Sequence, residues 1–253
     1  MLQQRTEENN QEKKKIKMQY KKALIFDASS IITLALTDLL DILEPLKNSF
    51  QGEFLITEEV KYEIIDRPIK ERRFMLEALF IKKLFEKGVL KLYPVNPREQ
   101  LRTLRIANST FVSNGEFIKI VHPGEVSCLV AYKAIDAEIK KTSGFLDAEK
   151  SNFSSKIAMV VDERTMRLLC ESPGNLRKLL ENKLHKKISS VERNYSYFQD
   201  SRLIRSCELA LIAYKFNLID LPAKKSEVIR ALLYATKFSG CSLSSKEIDS
   251  LKI

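Results

Sequence analysis

The stretch Lys22–Ile32, KALIFDASSII, decides the fold. An apolar run, Ala23–Phe26, ends on an acid, Asp27. Two small hydroxyl residues, Ser29 and Ser30, follow, and IITLAL then takes up helical spacing. A buried parallel strand that stops at a carboxylate and turns into a helix delivers that carboxylate to the C-terminal edge of its sheet, where open α/β folds place their ligands. One such acid is a weak signal, so the rest of the chain has to supply its partners.

The same pattern recurs late. Ile157–Val161 is the most apolar strand-like run and stops at Asp162, ahead of a second helical segment. Two acids on helices lie between. Glu63 follows Val60 by three residues in ITEEVKYEI, and Glu125 follows the Pro123-Gly124 that opens a helix. Strand ends and helix starts meet at one edge of a parallel sheet, whereas Glu63 reaches it only if its helix runs across that edge. The alternation of apolar strands with helices argues an α/β fold with a parallel sheet.

The spacing predicts strands at Phe54–Ile56, Val89–Val95 and Phe117–Val121, and a short helix within Asn96–Asn114. Thr57 caps a helix that Arg67-Pro68 ends. Glu71–Lys87 reads as an amphipathic helix with Phe74, Leu76, Leu79, Phe80, Leu84 and Phe85 on its apolar face, stopped by Gly88. The Pro123 helix runs through Asp136, and Lys140–Ser155 reads as polar loop. Helices follow over Glu163–Cys170, Pro173–Lys187, Ser206–Phe216 and Lys224–Lys237, with a last short one after Gly240.

Composition narrows the function. The chain has 253 residues, 44% of them hydrophobic, and a net charge of +10. That sign favours a polyanionic partner, most often nucleic acid. Cys128, Cys170, Cys207 and Cys241 form no CxxC pair, and neither His122 nor His185 lies near a cysteine cluster, so a zinc ribbon is not expected; the thiols read as small buried hydrophobes. No secretory signal is legible and no apolar run approaches about 18 residues. A cytoplasmic protein with no membrane span is expected. No GxGxxG or GxxxxGK[ST] loop supports nucleotide binding.

Four carboxylates in one cleft repel one another and make sense only around positive charge. Hard divalent cations take oxygen ligands, and Mg²⁺ typically uses one or two carboxylates, water and phosphate. Such a site activates water and offsets charge on a phosphate under attack. A basic surface around it would hold the nucleic-acid backbone.

This ordered set, LIFDASSII, ITEEVKYEI, HPGEVSCLVAYK and MVVDERTMRLL, resembles the PIN-domain family of ribonucleases over about Lys22–Cys170. LIRSCELALIAYKFNLID, further on, is similar to the closing strand and helix of archaeal-type members, which are related to the toxin ribonucleases of toxin–antitoxin pairs. The resemblance implies a three-layer α/β/α fold with a central, mainly parallel sheet. It implies a PIN-like nuclease domain over 22–216, with a C-terminal helical extension packed on that domain over 217–253; residues 1–21, polar and charged with no hydrophobic face to bury, read as a disordered basic lead. It assigns Asp27, Glu63, Glu125 and Asp162 as both catalytic residues and ligands of Mg²⁺ or Mn²⁺. Ser29 becomes an auxiliary hydroxyl and Arg167 an auxiliary basic residue. The implied activity is hydrolysis of RNA to 5′-phosphate and 3′-hydroxyl ends, in RNA processing or decay or as a toxin. RNA is the implied partner, with a homodimer and an antitoxin-like protein as further ones.

Each residue also has a plainer role available. Asp27 and Asp162 suit helix caps, Glu125 a first-turn acid, and Glu63 a solvated helix position. Ser29 and Ser30 suit backbone-bonding hydroxyls. Glu163, where family members often carry a second Asp, suits a first-turn surface residue. The basic helix bearing Arg177, Lys178, Lys183, Lys186 and Lys187 is the candidate RNA contact, against a solvated basic face. The alternative function is a catalytically inactive PIN-fold module that binds RNA or protein.

Overall fold

The computed structural model describes residues 20–142 and 157–251. Most of the expected lead and most of the expected Lys140–Ser155 loop lie outside these residues. Tyr20 is described, and it is buried, its ring 5.9 Å from that of Tyr93.

Strand β1 (Ala23–Phe26) passes into helix α1 (Ala28–Leu36), and after a 3₁₀ turn α2 (Leu43–Phe50) leads to β2 (Glu53–Ile56). Next come α3 (Glu58–Lys61), a π-type turn over Tyr62–Asp66, α4 (Arg67–Glu71), α5 (Met75–Glu86) and β3 (Leu90–Leu92). Helix α6 (Pro97–Asn108) precedes the short strands β4 (Phe111–Ser113) and β5 (Glu116–Phe117). The long α7 (Pro123–Thr142), β6 (Ile157–Val160), α8 (Arg164–Glu171), α9 (Pro173–Leu184) and β7 (Ser189–Ser190) follow. The chain closes with β8 (Leu203–Ile204), α10 (Ser206–Lys215), α11 (Lys225–Phe238) and α12 (Ser245–Ser250).

The central sheet has the order β3-β2-β1-β6-β8, and every pairing in it is parallel. It is flanked by helices in a three-layer α/β/α arrangement. β1 is central and fully apolar, with Ala23, Ile25 and Phe26 at 0% exposure, as a strand covered on both faces must be. Phe26 and Phe54 pack ring to ring across the β1–β2 pair, centroids 5.1 Å apart. A small antiparallel sheet, β5-β4-β7, sits apart from the main one. The four cysteines are free and buried.

The segment Gly240–Ser242 after α11 closes over the sheet edge. Ser239 O accepts from Thr33 Oγ1, and Ser242 N donates to Asp162 O at 3.1 Å. Leu233, Cys241, Leu243 and Ile248 form a small second core with Cys207 of α10.

Two expectations are corrected. The helix opened by Thr57 does not stop at Arg67-Pro68: Arg67 N donates to Tyr62 O, five residues back, and the helical run continues through Glu71. Pro68 has no N–H to give, and a π-type turn absorbs the misfit while Pro68 takes the tolerated first-turn position of α4. The buried face of α5 is also different. Ala78, Ile81 and Leu84 point inward, while Phe74, Leu76, Leu79 and Phe80 are exposed.

The two assignments for α5 separate by mutation. Ile81→Ala is expected to cost about 2–5 kcal/mol and Leu76→Ser to stay within about 0.5 kcal/mol in urea unfolding. The reverse ranking would restore the expected apolar face.

Candidate active site

An open cleft of about 870 Å³ lies at the C-terminal edge of the main sheet. Asp27, Glu58, Glu59, Glu63, Asp66, Glu125 and Glu163 line it, with Ser29, Tyr62, Arg67 and His122. Among the described residues, seven carboxylates therefore face one guanidinium, and the mouth is strongly anionic.

Asp27 caps α1. Its Oδ2 accepts from Ser29 N at 3.2 Å and from Ser29 Oγ at 2.6 Å. Ser29 Oγ also accepts the N–H of Asp162 at 3.1 Å, so one hydroxyl ties the end of β1 to the end of β6. Ser30 adds a buried latch, its Oγ within 2.8 Å of Asp27 O and 2.9 Å of Val160 O. Burial pushes the Asp27 carboxyl up to about 6 despite the Ser29 bonds, and the charge of Glu63 adds to the rise.

Glu125 lies in the first turn of α7. Its Oε2 accepts from His122 N at 2.8 Å, the reach-back bond of a capped helix. The plain role and the cleft position therefore coexist. Burial pushes Glu125 up to about 8 against that bond, and the charges of Asp27, Glu163 and Glu63 push the same way.

Glu63 sits on the π-type turn, which carries it across the sheet edge to the start of α7. A Cβ on Gly124 would stand 3.4 Å from Glu63 Oε2, so the glycine leaves room for this approach. A buried pair of hydroxyls, Thr57 Oγ1 and Ser127 Oγ at 2.6 Å, joins α3 to α7. Cys128 Sγ meets Phe26 O at 3.5 Å and holds α7 to β1. The elements bearing Asp27, Glu63 and Glu125 are thus locked to one another.

Asp162 is placed differently from expectation. It is fully buried, does not line the cleft, and accepts from Ser206 N at 2.8 Å and Ser206 Oγ at 2.6 Å. Strand register explains this. Phe26 pairs with Val160, so Asp27 lies level with Val161 and Asp162 is one residue further on. Side chains alternate along extended backbone, so Asp162 points to the face opposite Asp27 and Glu163 returns to the cleft side. Glu163 caps α8 through Oε2, which accepts from Met166 N at 2.7 Å, and it lines the cleft. The Asp-Glu doublet was the available signal, but only the register chooses between its members.

Arg167 is also outside the cleft. Its guanidinium donates to Ser242 O at 3.2 Å and pairs with Glu171 at 3.1 Å, in a separate depression beside α8. Arg67, on the π-turn side, is the guanidinium at the cleft and had no motif to announce it. Lys178, Lys183, Lys186 and Lys187 are exposed and Arg177 half-buried, and none of them lines the cleft.

The donor set is all oxygen, as a hard divalent ion requires. Two of its carboxyls are held above their ordinary range by burial and mutual repulsion, which a bound cation would relieve. Among the described residues no group of three or more Asp, Glu, His or Cys side chains is placed to hold a metal ion. Compared with known proteins, the chain matches no family model, no curated protein and no solved structure.

Two predictions arise here. The folded form holds the Glu125 proton from the ordinary value of 4.5 up to about 8. Stability in EDTA should therefore fall as pH rises through that window, and Glu125→Gln should remove most of the fall. At pH 8 the variant should gain about 1–2 kcal/mol, roughly 2–8 °C in Tm, with no gain at pH 4.5; equal pH profiles would contradict the burial of this carboxyl. Separately, Asp162→Ala should cost about 2–3 kcal/mol by stranding Ser206, and Ser206→Ala should be non-additive with it in a double-mutant cycle. Additive losses would show that the two do not act as a pair.

Proposed function

We propose that this chain is a divalent-metal-dependent endoribonuclease with its active site in the acidic cleft. The observation that carries the proposal is the buried Asp27 and half-buried Glu125 in one cleft with Glu63 and Glu163, at the ligand-binding edge of a parallel sheet. The resemblance to PIN-domain ribonucleases supplies the reaction class, and the net charge of +10 suits an RNA partner.

In this reading Asp27, Glu63, Glu125 and Glu163 are the residues that would hold Mg²⁺ or Mn²⁺. When bound, such an ion supplies an acidified water and positive charge opposite the scissile phosphate. Ser29 orients the Asp27 carboxylate by donating its hydroxyl proton to Oδ2. Arg67, at the cleft wall, meets a phosphate oxygen; its present partner, Glu71 at 2.9 Å, is exposed and holds it only weakly. Asp162 acts as a positioning residue, fixing the end of β6 to the start of α10 so that Glu163 faces the cleft. The products carry 5′-phosphate and 3′-hydroxyl ends, as in the family resembled.

A second reading has a specific observation in its favour. The engagement of Asp162 by Ser206 and the spread of the carboxylates suit a PIN-fold module that binds RNA or protein without cutting it.

Incubation of end-labelled structured and single-stranded RNAs with Mg²⁺, Mn²⁺ or EDTA separates the two. Metal-dependent cleavage is expected, reduced at least about 100-fold in Asp27→Asn and Glu125→Gln, the scale of losing a principal transition-state stabiliser. Cleavage that persists in both variants would remove the active site from this cleft, and none across the RNA set would favour the binding module.

A further inference from the structure

Helix α6 and the small sheet behind it stand outside the cleft's own machinery. Arg98, Arg102 and Arg105 recur at i, i+4 and i+7, which sets them on one face of α6, and all three are exposed. Thr103 and Ala107 are buried on the opposite side. Arg102 makes one loose pair, with Glu99 at 3.5 Å, and is itself 65% exposed. Among the described residues no carboxylate pairs with Arg98 or Arg105.

The helix is held firmly, and its N-terminal part is tied to residues of the cleft wall. Gln100 Nε2 donates to Glu59 Oε1 at 2.7 Å and to Pro123 O at 3.2 Å, and both of those residues line the cleft. Thr103 Oγ1 and Tyr197 OH meet at 2.6 Å. Asn108 Oδ1 accepts from Ile120 N and Val121 N. Lys133 of α7 packs its ammonium on the Tyr197 ring behind α6, where burial and then the charge of Arg102 lower its pKa. The ridge and Lys133 therefore share one positive field beside an anionic cleft.

We propose that Arg98, Arg102 and Arg105 form a phosphate-binding ridge that holds the backbone of single-stranded RNA at the cleft rim. The proposal rests on the ribonuclease reading for the position of the scissile phosphate, but not for the binding itself. The acidic cleft repels a phosphodiester, so the strand needs an anchor on the flanking nucleotides. Seven residues of helix span about 10 Å, a length that reaches several successive phosphates of one strand. The forked donors of three guanidinium groups suit phosphate oxygens. Helix α9, expected to be the RNA contact, has no comparable tie to the cleft.

Binding of a fluorescent 12-nucleotide single-stranded RNA to the full chain in EDTA, followed by anisotropy from 50 to 300 mM KCl, tests the ridge without cleavage. Each neutralised phosphate contributes about 0.7 to the slope of log K against log salt. The triple variant R98Q/R102Q/R105Q should lower that slope by about 2 and weaken binding at least about 10-fold at 50 mM KCl. R98K/R102K/R105K should keep the slope, and K178Q/K183Q/K186Q/K187Q should leave it unchanged. An unaltered slope in the Gln variant, a slope lost instead in K178Q/K183Q/K186Q/K187Q, or no RNA binding by the wild type overturns the ridge. So does loss of polyglutamate binding with the RNA slope retained, which would assign the surface to an acidic polypeptide. RNA binding through the ridge without metal-dependent cleavage would leave the ridge standing and remove the nuclease reading. Cleavage with an unaltered slope would do the opposite.

Discussion

The Ser29 hydroxyl donates to the Asp27 carboxylate and accepts the N–H of Asp162, so a single side chain joins the ends of two neighbouring parallel strands. Ser30 repeats the link one residue on, between Asp27 O and Val160 O. Buried polar groups are tolerable only when paired, and here the pairing also determines geometry. It fixes how far β6 projects beyond β1, which sets where the side chains of Asp162 and Glu163 point. From Asp162 the same network passes to Ser206 and Ser242, so α10 and the C-terminal segment are built onto the acidic edge.

What could be read from the sequence follows the range of each signal. The apolar runs at Ala23–Phe26, Phe54–Ile56 and Ile157–Val160 are local, and with the intervening helices they specify a parallel α/β sheet. Glu125 was legible because Pro123-Gly124 marks a helix start. Glu63 was not legible from spacing alone, since it reaches the cleft through a π-type turn that Pro68 imposes five residues later. Asp162 and Glu163 exchanged places because side-chain direction depends on a one-residue offset between strands, which no local pattern contains. The apolar positions of α5 were misjudged for a related reason. Helical periodicity says that a face exists, but which residues of a helix rich in Phe and Leu turn inward depends on what it packs against.

Charge is sorted by position in this molecule. The chain is basic as a whole, yet the described cleft gathers seven carboxylates around one guanidinium. Surface repulsion at that density would be screened within about 8 Å at physiological salt, but Asp27 is buried and Glu125 nearly so, and screening does not reach them equally. Their raised protonation is a cost that the fold carries, beside the Thr57–Ser127 and Cys128–Phe26 contacts that join three elements. A packed core would relax that strain by turning the side chains outward if nothing held them. The cross-links prevent this, so the energy is available to a ligand with positive charge. A nuclease and a non-cutting module would differ not in the presence of this charge but in whether two carboxylates close on one ion, a question of a few ångströms around Asp27 and Glu125.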